Sequence, residues 1–194
     1  MFDVLARYLT EKENFTPEDL AAVKQVAIPR RLRKRQYLLH EGTVSKYNCF
    51  VVSGCLRLFR IGDDGSEHIL RFAVENWWIA DYESYNFGEP AKGNVDALVD
   101  SEVLMISKAD MDALCQNIPA FKRMKDLLDA RCFDASQNRI FSSISQSAEE
   151  RYFEFIKKHP LIHRRVPLHM IASYLGVSRE TLSRVRHQNV KLNS

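Results

Sequence analysis

Residues 167–187 read PLHMIASYLGVSRETLSRVRH. Ile171, Ala172 and Leu175 share one apolar face at helical spacing. Gly176 interrupts that helix, and Val177 is apolar immediately after it. Ser178 is a good N-cap for a second helix, in which Leu182 and Val185 face inward. A helix-turn-helix needs these features together. The small Ala172 lets the second helix cross closely, Gly176 permits the sharp turn, and Leu182 and Val185 lock the second helix on the first. The outer part of that helix then carries Ser178, Arg179, Glu180, Thr181, Ser183, Arg184 and Arg186. Residues near the start of such a helix reach base edges in the major groove. An arginine can fork onto guanine, and a glutamate can accept from cytosine. Ser178, Thr181, Arg186 and His187 suit contacts to the phosphate backbone. The competing reading is a plain helical hairpin tied by a Glu180–Arg184 pair at i, i+4.

Charge points the same way. The 194 residues carry a net charge of +3, but unevenly. Residues 1–145 hold 19 Lys/Arg against 21 Asp/Glu, and residues 146–194 hold 9 against 4. His159, His163, His169 and His187 add to the second group. A near-neutral body with a basic end is the footprint of a polyanion-binding module.

Upstream, Thr16-Pro17-Glu18-Asp19 starts a helix that Pro29 is expected to end. From 28 to 107, short apolar runs are split by turn residues. Cys49-Phe50-Val51-Val52 precedes Ser53-Gly54. Leu56 to Ile61 precedes Gly62-Asp63-Asp64-Gly65, a hairpin signal. Ile69 to Val74 and Val103 to Ile106 follow. This spacing predicts a compact antiparallel barrel or roll. From 120 to 145 there is no Gly or Pro. Phe121, Met124, Leu127, Leu128, Cys132, Ala135, Phe141 and Ile144 recur at three- and four-residue steps, with Arg131 and Asn138 near the seam. The pattern predicts one long helix of about 39 Å. Its apolar stripe is covered either by a second copy of the chain or by the roll itself.

Other classes find little support. No run approaches a membrane span, and the N-terminus lacks a secretory apolar core, so a cytoplasmic protein is expected. Cys49, Cys55, Cys115 and Cys132 form no C-x-x-C pair and no zinc spacing, and they read as small buried apolar residues. His68 or Cys55 as a haem ligand, and His159 with His163 as a metal pair, are weaker than plain structural roles, so no metal is assigned. No nucleophile elbow, phosphate loop or zinc-protease motif is present, and no catalytic residue is assigned.

The segment 176–184, GVSRETLSR, resembles the Crp/Fnr family of bacterial transcription regulators. Tyr47 to Gly54 and Gly65 to Leu70 resemble the hairpins of that family's roll. The resemblance covers nearly the whole chain. It implies an α+β architecture: an N-terminal antiparallel β-roll (a jelly-roll-like double-stranded β-helix) with flanking helices at 1–118, a long dimerisation helix at 119–146, and a helix-turn-helix domain at 147–194. It implies base reading by the positions of Arg179, Glu180, Ser183 and Arg184, a homodimer on a near-palindromic duplex site, and RNA polymerase as a further partner by analogy.

Two departures follow. Members that bind cyclic AMP carry a Gly-Glu pair and, about ten residues on, an Arg-Ser/Thr pair. Here these positions read Ala80-Asp81 and Ala91-Lys92. Lys92 supplies a charge but not a guanidinium fork, which argues against cyclic AMP. Trp78, Asp81, Tyr82, Tyr85 and Lys92 are the candidates for a different effector pocket, with plain core as the simpler role for the aromatic rings. The second departure concerns the family's wing, a hairpin expected after His187. Only residues 188–194 follow, so the wing is expected to be reduced or absent. An effector-binding or protein-interaction module with a non-reading helix-turn-helix is the alternative.

Overall fold

The roll predicted between residues 28 and 107 is present in the computed structural model, which describes residues 1–192. Its strands, numbered in chain order, pair antiparallel in two four-stranded sheets. One sheet holds β1 (Ile28–Leu32), β8 (Ser101–Ser107), β3 (Tyr47–Ser53) and β6 (Trp78–Ile79), side by side in that order. The other holds β2 (Tyr37–Leu39), β7 (Asn94–Ala97), β4 (Cys55–Ile61) and β5 (Glu67–Val74). Between the sheets lie Val51, Leu56, Leu58, Ile79, Val95 and Val103, all buried.

Each sheet is covered on its outer face too. Phe50, Leu104 and Ile106 point away from the roll, into a cluster with α1 (Phe2–Lys12), α4 (Lys108–Asn117) and the start of α5 (Pro119–Ser145). That is why Cys49 to Val52 and Val103 to Ile106 are unbroken apolar runs rather than alternating ones: a strand buried on both faces has no polar side. Helix α2 (Pro17–Val26) begins after Thr16 as expected, and Thr16 and Asp19 form a reciprocal capping box there. Pro29 does not end it. The helix stops at Val26, and Pro29 sits inside β1, an edge strand where a missing N–H donor is tolerated. Gly54 turns β3 into β4 at φ 107°, and a Cβ there would lie 2.7 Å from the Ser101 backbone.

Inside the second sheet sits a charged cluster. Arg57 and Asp96 are cross-strand neighbours on β4 and β7. Arg57 donates to both Asp96 oxygens, from Nε at 2.8 Å and Nη2 at 3.1 Å, and also to Glu67. The guanidinium lies 4.0 Å from the Phe59 ring centroid. Arg57 and Asp96 are both buried. The fork satisfies a cation that burial would otherwise penalise heavily.

The long helix α5 has two faces rather than one stripe. Phe121, Met124 and Leu128 pack inward on the roll and α1. Further along that side Cys132 meets Arg71, and Arg139 donates to the Leu70 carbonyl. Leu127, Phe133, Ile140, Phe141 and Ile144 are exposed, and Ile144 is 80 % exposed. At 100° per residue these fall on the side opposite Phe121 and Arg139. The roll covers one face, and the other is bare in the single chain.

After α5 come α6 (Ala148–Lys158), α7 (Pro160–Arg165), α8 (Leu168–Leu175) and α9 (Arg179–Leu192). Helix α9 continues past His187, so the described residues hold no hairpin there; Asn193 and Ser194 lie outside the described residues.

Replacing Asp96 by Ala leaves the buried Arg57 with only the half-exposed Glu67 as a partner. Urea unfolding should show a loss of about 2–4 kcal/mol, below the upper end for a buried charge left with no partner. Arg31→Ala, which breaks only the exposed pair with Glu102, should change stability by less than about 1 kcal/mol.

Candidate nucleic-acid interface

Helix α8 ends as the sequence requires. Gly176 takes φ 67°, ψ 37°; its N–H donates to Ser173 O, and Val177 N–H donates to Ala172 O at 3.0 Å. This is the paired 5→2 and 6→1 closure of a Schellman motif. No atom lies within 4 Å of where a Gly176 Cβ would be, so backbone conformation and not crowding calls for glycine here. Ser178 then caps α9, accepting from Thr181 N–H at 3.1 Å.

Behind α9, Leu182 and Val185 are buried with Ile171, Ala172, Tyr152, Phe155 and Ile162. In front, Ser178, Arg179, Glu180, Arg184, Arg186 and His187 are exposed, while Thr181 and Ser183 are half-buried. Arg184 approaches the Thr181 hydroxyl at 3.5 Å. Among the described residues no ion pair joins Glu180 to Arg184, or engages Arg179 or Arg186. Arg186 also lines a small cavity of about 90 Å³ with His163, Val166, Leu168 and Ile171. The surface is thus cationic and solvated, on a helix braced from behind.

The whole helical module is docked on the roll. Strand β5 is an edge strand. Its exposed backbone is met by Ser173, whose Oγ accepts from Ile69 N–H at 2.9 Å and donates to Glu67 O at 2.7 Å. Tyr174 packs at a tilt against Phe72 and Phe155 and lies under Arg139 of α5. Arg165 donates to the Glu75 carboxylate at 2.7 Å and to Gly54 O at 3.2 Å. Trp77 meets the His159 ring edge-on. None of these contacts was visible in the sequence, because those that join the module to the roll link residues 82 or more apart.

The five residues expected around an effector do not share one cavity. Trp78 is core, 5.3 Å from Phe50. Asp81 is buried and caps α3 (Tyr82–Phe87), accepting from Ser84 N–H. Tyr82 lies by Arg71, and burial pushes its hydroxyl up to about 12. Tyr85 is buried, and burial raises it too. Lys92 is exposed and engaged by Glu83. Of the five, only Tyr85 borders the open groove of about 470 Å³ between α3 and the start of α4.

Cys49 and Cys55 are buried, with thiols pushed up to about 12 by burial, whereas Cys115 and Cys132 are only half-buried. Among the described residues no His, Cys, Asp or Glu group could hold a metal, and no helix is long and apolar enough to cross a membrane.

Residues 29–118 match the cyclic nucleotide-binding domain family. FixK2 from Bradyrhizobium japonicum superposes with a TM-score of 0.73 at 18% identity, over 87% of this chain and 86% of that one. The catabolite activator protein of Thermus thermophilus gives 0.57 at 22% identity, over 93% and 86%. A transcriptional regulator of the Crp/Fnr family from Eubacterium rectale gives 0.68 at 17% identity, over 91% and 85%. At these identities the likeness is one of fold. No curated protein matches the chain in sequence. The ligand this domain family implies fits the residues here poorly: Asp81 is spent on a helix cap, and Lys92 and the neighbouring Arg60 guanidinium are both drawn to Glu83.

Burial lowers His159, with Lys158 adding to the effect, and burial lowers His163, with Arg186 and Arg164 adding. Both rings therefore take up a proton at lower pH in the folded module than in the unfolded chain, which protonates near pH 6.5. Stability should fall as pH drops through about 6.5, because the unfolded state binds more protons there. Melting curves between about pH 5 and pH 7.5 would show it, and His159→Gln should flatten the slope.

Proposed function

We propose that this protein, whose residues 29–118 form a cyclic nucleotide-binding-type domain in the fold of Crp/Fnr regulators, is a transcription regulator that reads duplex DNA as a homodimer. The observation that carries this reading is the outer face of α9. Arg179, Glu180 and Arg184 stand exposed, without ion partners among the described residues, on a helix whose other side is anchored by Leu182 and Val185. A guanidinium that already had a carboxylate partner would have to give it up before forking onto guanine; these do not. Ser183 is the fourth base-reading candidate, and Ser178, Thr181, Arg186 and His187 are the candidates for the flanking phosphates.

The bare face of α5 supports the dimer. Leu127, Phe133, Ile140, Phe141 and Ile144 together make an apolar strip that a second α5 would cover. A two-fold axis along that helix would present two α9 helices to major grooves about 34 Å apart on a near-palindromic site. The roll then acts as the regulatory part, and cyclic AMP is not its effector. RNA polymerase is a further partner by analogy with regulators that share the fold.

Selection of bound duplexes from a random pool, with the mass of the species in solution, tests both parts. The reading expects a palindromic consensus and a dimer; a pool that stays random supports a non-reading interaction module instead. Arg184→Ala should lower affinity for the selected site by about 1–3 kcal/mol and leave binding to random DNA nearly unchanged. Equal losses on both would count against base reading. Phe141→Glu with Ile144→Glu should shift the mass from dimer to monomer while leaving the far-ultraviolet spectrum intact.

A further inference from the structure

Between α7, α8 and α9 the helical module is not filled. His163 of α7, Val166 just after it, Leu168 and Ile171 of α8, and Arg186 of α9 line the cavity of about 90 Å³. That is room for a small ion with water beside it.

The walls divide by chemistry. Val166, Leu168 and Ile171 offer no polar side-chain atom, and Val166 and Ile171 are buried. The other two lining residues, His163 and Arg186, are both bases. His163 Nε2 lies 3.1 Å from the Tyr152 hydroxyl. With that O–H donating to Nε2, the ring proton sits on Nδ1, which has no hydrogen-bond partner among the described residues. The Arg186 guanidinium likewise has no ion pair or hydrogen bond among the described residues.

No carboxylate lines the cavity. Burial, Arg186 and Arg164 lower the proton affinity of His163, and no acid is among these influences. Helices α7 and α8 contain no acid, and Glu180 of α9 is exposed on the outer face. On α6, which packs against α7 and α9, Glu150 is held by Ser147 and Glu154 by Lys158, and Glu149 is not free. An arginine and a histidine that share a cavity without an acid leave a positive potential inside it.

The apolar walls select the kind of anion. A phosphate dianion gives up a strong hydration shell and needs donors all round, and three of the five lining residues supply none. A monovalent, weakly hydrated ion loses less on entering. A guanidinium fork and one imidazole N–H can satisfy it.

We propose that this cavity is a binding site for a small monovalent inorganic anion of the chloride or nitrate class, held between His163 and Arg186. The anion bridges α7 to α9 and ties α9 to the module from behind. The site lies within one chain and needs neither DNA nor a second copy. A bound anion favours the protonated imidazole, so anion and proton are taken up together.

The test uses the full chain without DNA. Broadening of the chlorine NMR signal reports bound chloride, and added nitrate should remove it by competition. Once chloride reaches about ten times its dissociation constant, the protein should melt about 3–5 °C higher than in sodium fluoride of equal ionic strength. That margin should widen from about pH 7.5 to about pH 5.5, as His163 protonates. Arg186→Gln should abolish both the broadening and the margin. Arg186 is exposed, so the variant should fold, and Arg186→Lys, which keeps the charge, should keep the broadening. His163→Gln should lose the pH dependence of the margin. Arg33→Gln, which removes an exposed cation of the roll, should behave as the wild type does. Equal melting in chloride and fluoride, or no broadening by the wild type, overturns the site. So does an Arg186→Gln variant that broadens the chloride signal as fully as the wild type.

Discussion

The exposed edge of β5 is the constraint from which the arrangement of the chain follows. An open edge invites pairing with another strand, and this one is closed by a helix instead. One serine hydroxyl satisfies both the Ile69 N–H and the Glu67 carbonyl. Around that point Phe72, Tyr174 and Phe155 fill the gap between roll and helices. Because α8 is used to cover the edge, its partner α9 faces away from the roll, and the cations on its outer side stay in water.

The same contact ties three parts of the chain together. Arg139 of α5 lies over Tyr174 of α8 and donates to Leu70 of β5. Arg71, one residue on, reaches Cys132 on α5 and the ring of Tyr82 at the start of α3. A shift of the strand pair β4–β5 would therefore be felt by the long helix and the docked module together. The links from β5 to the far half of α5 are polar, whereas the docked module and the second sheet share an apolar cluster of Phe59, Ile69, Phe72 and Val74 with Tyr152, Phe155 and Ile171.

Local patterns were legible in the sequence and distant ones were not. The helix pair at 168–192 was readable because everything that makes it lies within twenty-odd residues: a small residue, a left-handed glycine, a capping serine and two apolar anchors. The roll was readable as a class, since turn residues and short apolar runs mark hairpins without saying which sheet each strand joins. The stripe on α5 was half legible. Periodicity found the apolar residues, but only packing decides that Phe121 and Met124 belong to the roll while Phe141 and Ile144 do not. The effector region was the least legible. Aromatic content at 77–87 suggested a pocket, yet Trp78 packs against Phe50, Asp81 caps a helix and Lys92 pairs with Glu83, because the nearest partner of each lies on a different element.

By itself, the order of residues determined the secondary elements, the capped turn before α9, and which side of that helix is charged, since all of these depend on neighbours a few positions apart. Tertiary structure alone decided that Arg57 would find Asp96 across a strand, that one face of α5 would remain bare, and that His163 of α7 and Arg186 of α9 would line one cavity. Those outcomes depend on which distant surfaces meet, and burial and charge pairing are settled only when they do.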